Sequence, residues 1–130
     1  MADRRVQAAK GGLLLAGCLS WALLAPTTGS GESKPSVPGE LKPGETLFNN
    51  NCGRCHGERG TGTSNGPPLV HKIYEPNHHG DAAFQRAAAM GVRAHHWQFG
   101  DMPKIPAASP ADVDQIVRYV RWLQRQAGIF

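Results

Sequence analysis

The most constraining feature of this 130-residue sequence is the pentapeptide CGRCH at positions 52–56. Cys52 and Cys55 stand three positions apart, so one helical turn would place both side chains on the same side of the chain. Two such cysteines can bind zinc, exchange a disulfide, or add their thiols to the two vinyl groups of haem, and only the last use requires the adjacent His56. The C-x-x-C-H pattern therefore indicates covalent haem attachment.

The third cysteine and the other histidines do not form a recognisable zinc-binding or thiol redox motif with these two cysteines. The third cysteine, Cys18, lies far upstream in an apolar run, and there is no second C-x-x-C pair. The remaining histidines lack the H-x3–5-H spacing that is usual in zinc fingers; they are His71, His78, His79, His95 and His96. Because the chain has almost no period-two apolar alternation, a thioredoxin-like active site is also disfavoured. Zinc binding and thiol redox chemistry stay open as alternatives.

The N-terminal segment is typical of an export signal. Arg4, Arg5 and Lys10 form a basic region before the apolar run GGLLLAGCLSWALLA at positions 11–25, which has the length of a signal rather than of a membrane span. We expect residues 1–25 to be a signal peptide or an N-terminal membrane anchor, and the protein to be periplasmic or attached to the outer side of a bacterial-type membrane. The sequence LAGC ending at Cys18 resembles a lipobox, which leaves lipidation of Cys18 as a third outcome.

Charge and size limit the rest of the chain to one small domain. Removing residues 1–25 deletes three basic residues and one acidic residue, which lowers the formal net charge from +4 to +2. This mild charge gives no support for nucleic-acid binding. Residues 26–43 are rich in Gly, Pro and Ser and are predicted to be a flexible linker. Residues 44–130 are predicted to be the folded domain, whose limited core a large apolar cofactor would complete.

Three helices are predicted in this domain. The first covers residues 44–51 and leads into the motif, and the second covers residues 81–90 with Gly91 at its C-terminal cap. The third begins after Ser109, a favourable N-cap followed by Pro110. Its apolar residues recur at helical spacing and predict one buried stripe: Val113, Ile116, Val117, Val120, Leu123 and Ala127. Between residues 57 and 68 the density of Gly and Pro predicts a loop.

The order of these features resembles that of class I c-type cytochromes. The helix and motif GETLFNNNCGRCHG are followed by Gly66-Pro67-Pro68-Leu69, then by Met102-Pro103 within GDMPKIP, then by the amphipathic C-terminal helix. The resemblance implies an all-α, cytochrome c-like domain of short helices and loops around one covalent haem c. It implies attachment through Cys52 and Cys55 and iron ligation by His56. It further implies that the Pro67 carbonyl accepts a hydrogen bond from that histidine and that Met102 is the second axial ligand of the iron.

The same resemblance implies a single-electron carrier rather than an enzyme, since two filled axial positions leave no place for a substrate. Its partners would be a donor and an acceptor redox protein. The alternative is a haem c subunit or domain of a dehydrogenase, or a haem sensor that binds a small ligand through a labile sixth position.

Four residues compete for the sixth position: Met90, His95, His96 and Met102. We favour Met102 because the following Pro103 biases it toward an extended backbone, and Pro106 stiffens the loop. Tyr74 and Trp97 are candidates to bond haem propionates or to pack against the haem. A second metal site at His78-His79 and His95-His96 is disfavoured, since adjacent residues on regular structure point apart. These four histidines are therefore expected to be surface loop residues.

Overall fold

Residues 34–130 are described by the structure, which is a computed structural model. The signal or anchor predicted for residues 1–25, including Cys18, lies outside this range. The α-helices are α1 (Lys42–Asn51), α2 (Gly53–His56), α3 (Asp81–Met90) and α4 (Pro110–Gln126). A short 3-10 turn at Gly39–Leu41 precedes α1, and two more, at Glu58–Gly60 and Lys72–Tyr74, lie between α2 and α3. Within residues 34–130 there is no strand beyond two isolated bridges. The predicted all-α fold is confirmed.

The core lies where α1 crosses α4. Gly44 makes the close approach feasible, because a Cβ at this position would overlap the backbone carbonyl of Gln115. One turn later, Phe48 is fully buried and its ring centroid lies 5.5 Å from that of Tyr119. Val120 and Leu123 belong to the same buried cluster. The crossing fixes the end of α1, and with it the start of the cysteine motif.

Helix α4 begins with a reciprocal cap. The Ser109 hydroxyl accepts a hydrogen bond from the Asp112 amide at 3.2 Å, and the Asp112 carboxylate accepts one from the Ser109 amide at 2.9 Å. The predicted stripe is buried from Val113 to Leu123. Ala127 is exposed, contrary to the prediction, because the helix ends at Gln126.

The ordered domain starts earlier than the sequence suggested. Helix α1 begins at Lys42 rather than at residue 44, with Pro43 in its first turn. Val37, inside the segment predicted to be a linker, is only 8% exposed and packs into the core. The predicted linker therefore ends before Val37. Among residues 34–130, no helix combines the length and the apolar character that crossing a membrane requires.

A polar network around Arg121 joins α4 to the start of α3 and to the chain segment before it. The guanidinium group of Arg121, 7% exposed, donates to the Asp81 carboxylate at 2.8 Å and to the backbone carbonyls of Tyr74 and His79 at 2.6 and 2.5 Å. Gln124 donates to the carbonyls of Leu69 and Tyr74. Since buried carbonyl groups need partners, these two side chains hold the loop of residues 69–79 against α4.

Candidate cofactor site

The cysteine motif forms a single turn at the end of α1. Cys52 is the C-cap of α1, and its carbonyl accepts hydrogen bonds from the amides of Cys55 and His56 at 3.1 and 2.9 Å. Cys52 is half-buried and Cys55 is exposed, and no disulfide joins them. Burial, and secondarily the neighbouring Cys55, raises the pKa of the Cys52 thiol to about 11. The two sulfurs are therefore not joined to each other, and each can form a thioether.

His56 is oriented by a backbone carbonyl. Its Nδ1 lies 2.8 Å from the carbonyl oxygen of Pro67. A carbonyl can only accept, so Nδ1 carries the proton and Nε2 keeps a lone pair for a metal. Burial lowers the pKa of His56, and the hydrogen bond to Pro67 opposes this effect. The side chain is 9% exposed. These properties describe a neutral imidazole with one defined tautomer, as an iron ligand requires.

The loop after the motif is folded back onto it through close backbone contacts. The Thr63 hydroxyl donates to the Cys55 carbonyl at 2.6 Å, and the Gly62 amide donates to the His56 carbonyl at 2.6 Å. Gly66 lies so close that a Cβ would be 2.9 Å from the Cys55 carbonyl oxygen. A side chain at position 66 would therefore force this contact between the loop and the motif to open.

A cavity of about 630 Å³ opens beside the motif, within the range of about 300–1,000 Å³ for cofactor and ligand pockets. Cys52 and His56 line it together with apolar side chains of α3, α4 and the loops, namely Leu69, Phe84, Val92, Ile105, Val113 and Ile116. Apolar walls with few polar groups suit a porphyrin ring and exclude water.

Besides the apolar walls, the side chain of Trp97 indicates what kind of group the cavity can hold. Its indole Nε1 is buried and lies near the Tyr74 hydroxyl, but it makes no hydrogen bond of good geometry to any described residue, and the side chain lines the cavity. An unpaired buried donor costs about 1–3 kcal/mol, so such groups normally face an acceptor. A haem carboxylate would supply an acceptor. The residues present therefore fit a haem group.

Met102 lines the same cavity as His56 and is half-buried. Its amide and carbonyl pair with the carbonyl and amide of Val92, at 2.9 and 3.0 Å. Met90, the last residue of α3, also borders the cavity, but it is 71% exposed. Of the two methionines, Met102 is the one that the fold both encloses and anchors.

The four paired histidines also border this cavity. They lie in surface loops as expected, and His78, His95 and His96 are exposed. Adjacent rings do not point apart, however: the ring centroids of His95 and His96 are 4.2 Å apart and those of His78 and His96 are 5.2 Å apart. Partial desolvation lowers the pKa of His96, and the charges of His95, His79 and His78 lower it further. His95 and His96 thus lie near enough to the cavity to compete with Met102 for the sixth position of the iron.

Sequence reasoning missed Arg121 and Gln124, which hold the cavity wall. A signal was present in the sequence: both follow Val117 at helical spacing, within the stripe that otherwise contains apolar residues. Polar residues in a buried stripe indicate a hydrogen-bonded network rather than a solvent face. Their partners could not be inferred, because these partners are backbone carbonyls more than forty positions away.

Comparison with protein families decides the identification. A family model described as Cytochrome c matches residues 41–124, more than half of the chain. This chain belongs to the cytochrome c family. Members of this family bind covalent haem c with its iron, and the matched region contains Cys52, Cys55, His56, Pro67 and Met102. Comparisons with curated proteins and with solved structures gave no significant match.

Proposed function

We propose that this cytochrome c carries single electrons, with one haem attached through Cys52 and Cys55 and its iron ligated by His56 and Met102. The observation that carries the proposal is the hydrogen bond between His56 Nδ1 and the Pro67 carbonyl, which leaves Nε2 as the only free nitrogen on a ring that lines the cavity. Membership of the cytochrome c family supports haem-based electron transfer.

Each residue has a definite part in this function. The haem supplies the redox-active iron. Two thioethers would keep it from dissociating, and the Pro67 carbonyl holds the His56 ring and makes it a stronger donor. The Met102 thioether is a soft ligand that favours ferrous iron and raises the reduction potential relative to a second imidazole. The apolar wall, including Leu69 and Ile116, excludes water from the cavity.

Partner proteins would approach the side of the molecule that carries Cys55. Cys55 and the neighbouring Arg54 are both exposed, whereas His56 beside them is buried. A basic side chain at this position favours a partner with acidic groups. The apolar N-terminal segment with its basic flank supports a periplasmic or membrane-attached location, where covalent haem attachment is expected.

Carbon monoxide distinguishes this carrier from a sensor or a catalytic subunit with a labile sixth ligand. The reduced holoprotein is mixed with carbon monoxide at neutral pH, and the haem absorption spectrum is followed. With His56 and Met102 both bound, we expect little change, because no coordination position is open. Rapid and complete formation of a carbon monoxide complex would contradict the carrier and support the alternative.

A further inference from the structure

Three histidines from two separate segments converge at the rim of the cavity. His78 and His79 precede α3, and His96 follows it. One ring nitrogen of each lies within 4.8 Å of the corresponding atoms of the other two. Neither segment is close to the C-x-x-C-H motif in sequence, and neither takes part in the haem ligation proposed above. The convergence therefore needs an explanation of its own.

The closest pair has the spacing of two ligands on one metal ion. His78 Nε2 and His96 Nε2 are 3.3 Å apart. Two imidazole nitrogens on a tetrahedral zinc ion, with bonds of about 2.0–2.1 Å, are about 3.4 Å apart. A hydrogen bond between two neutral rings can also span this distance. That bond would engage only two of the three rings, whereas a metal ion accounts for all three.

The third ring is held in the tautomer that a metal needs. His79 Nδ1 donates to the Ile73 carbonyl at 2.6 Å, so in the neutral ring Nε2 is the nitrogen with the lone pair. Metal-bound histidines commonly carry such a hydrogen bond from the ring nitrogen that does not bind the metal. The His79 backbone is itself fixed, since its carbonyl accepts from Arg121 at 2.5 Å. His79 is thus positioned from both its side chain and its backbone.

We propose that His78, His79 and His96 bind one divalent transition-metal ion of the zinc and copper class, separate from the haem iron. Imidazole nitrogen suits these ions, whereas Mg²⁺ and Ca²⁺ prefer oxygen ligands. The fourth position is open to water or to His95, whose Nδ1 donates to the Arg93 carbonyl at 2.8 Å, so that the free nitrogen of its neutral ring is Nε2. The proposed metal site does not depend on Met102 being a ligand of the haem iron, but it does depend on His96 not being one.

Zinc titration of the intact, untagged, oxidised holoprotein tests the proposal. By isothermal titration calorimetry we expect one zinc ion per chain. His78→Ala and His96→Ala remove exposed side chains and should each weaken zinc binding about tenfold or more. The matched control is His71→Asn, which lies outside the three and keeps an acceptor for the Ile73 amide. This variant should bind zinc as the wild type does.

X-ray absorption at the zinc edge then reports the ligands without interference from iron. We expect a shell of imidazole nitrogens at about 2.0–2.1 Å. The proposal is overturned if the wild type binds no zinc, if either alanine variant binds it undiminished, or if His71→Asn loses as much affinity. It is also overturned if His96→Ala changes the axial ligation of the haem iron, since His96 would then belong to the haem site.

Discussion

Val92 and Met102 exchange both of their backbone hydrogen bonds, with N···O distances of 3.0 and 2.9 Å. This isolated bridge closes the loop of residues 93–101, which carries His95, His96 and Trp97. Met102 is therefore positioned by the backbone before its sulfur binds anything. Pre-positioning matters for a thioether, which is a weak ligand and cannot order a free loop by itself.

Replacing Gly91 should disturb this bridge. Gly91 has φ +79° and ψ −179°, a region essentially confined to glycine, and a Cβ there would lie 2.5 Å from the Met102 carbonyl oxygen. In Gly91→Ala we expect a loss of about 1–3 kcal/mol in the free energy of unfolding from backbone strain alone. We also expect a weaker iron–sulfur charge-transfer band in the ferric protein. Chemical denaturation and absorption spectroscopy measure these two effects.

Gly100→Ala is the control for Gly91→Ala. Gly100 also has a positive φ, +84°, but a Cβ at this position would have no neighbour within 4 Å. Gly100→Ala should therefore lower the free energy of unfolding through backbone strain but leave the iron–sulfur charge-transfer band unchanged. Equal weakening of the band in both variants would mean that contact with Met102 is not the cause.

Arg121→Met should loosen the cavity wall. The substitution keeps an unbranched side chain but removes the guanidinium group, and with it the donors to the carbonyls of Tyr74 and His79 and to the side chains of Asp81 and Gln124. The Tyr74 carbonyl keeps a hydrogen bond from Gln124. The His79 carbonyl therefore accounts for most of the lost hydrogen bonding to the backbone. We expect a decrease of about 2 kcal/mol in the free energy of unfolding. Arg118→Met, an exposed change on the same helix, should be nearly neutral, and equal losses in the two variants would exclude the network as the cause.

The cap of α4 makes a pH-dependent contribution to stability. Hydrogen bonds from the Ser109 hydroxyl and from the Ser109 amide lower the pKa of Asp112. A carboxyl group whose pKa is lower in the folded state stabilises the fold above its unfolded pKa, about 3.9. That contribution is lost as the pH falls through the folded pKa. We therefore expect Asp112→Asn to be less stable than the wild type at neutral pH.

Denaturant midpoints of the wild type and Asp112→Asn, compared from pH 7 down to acid, measure this contribution. The difference should stay constant above about pH 5 and shrink below the unfolded pKa. A difference that grows toward acid would mean that the folded-state pKa is raised rather than lowered.

Local signals predicted much of this structure. The spacing of Cys52, Cys55 and His56 identified the motif, and Ser109 with Pro110 marked the start of α4, because caps and helical turns depend on neighbours in sequence. The hydrogen bond between His56 and Pro67 followed from family resemblance rather than from local chemistry. The histidine cluster could not be predicted, since it depends on how two loops separated by α3 fold toward each other.

Local sequence patterns also could not predict where the ordered domain begins. Val37 lies in a segment whose Gly, Pro and Ser content predicts a linker, yet it packs into the core cluster. One apolar residue gives no periodic signal. Its burial depends on a free apolar surface near α1 and α4, which only the assembled fold provides.

Proton NMR of the reduced holoprotein tests the assignment of Met102 most directly. A methionine bound to ferrous haem iron gives a methyl signal shifted strongly upfield by the ring current. We predict this signal in the wild type and in Met90→Ala, and its loss in Met102→Ala together with a lower reduction potential, since the thioether favours ferrous iron. Absence of the signal from the wild type, or its loss in Met90→Ala with retention in Met102→Ala, would contradict the account.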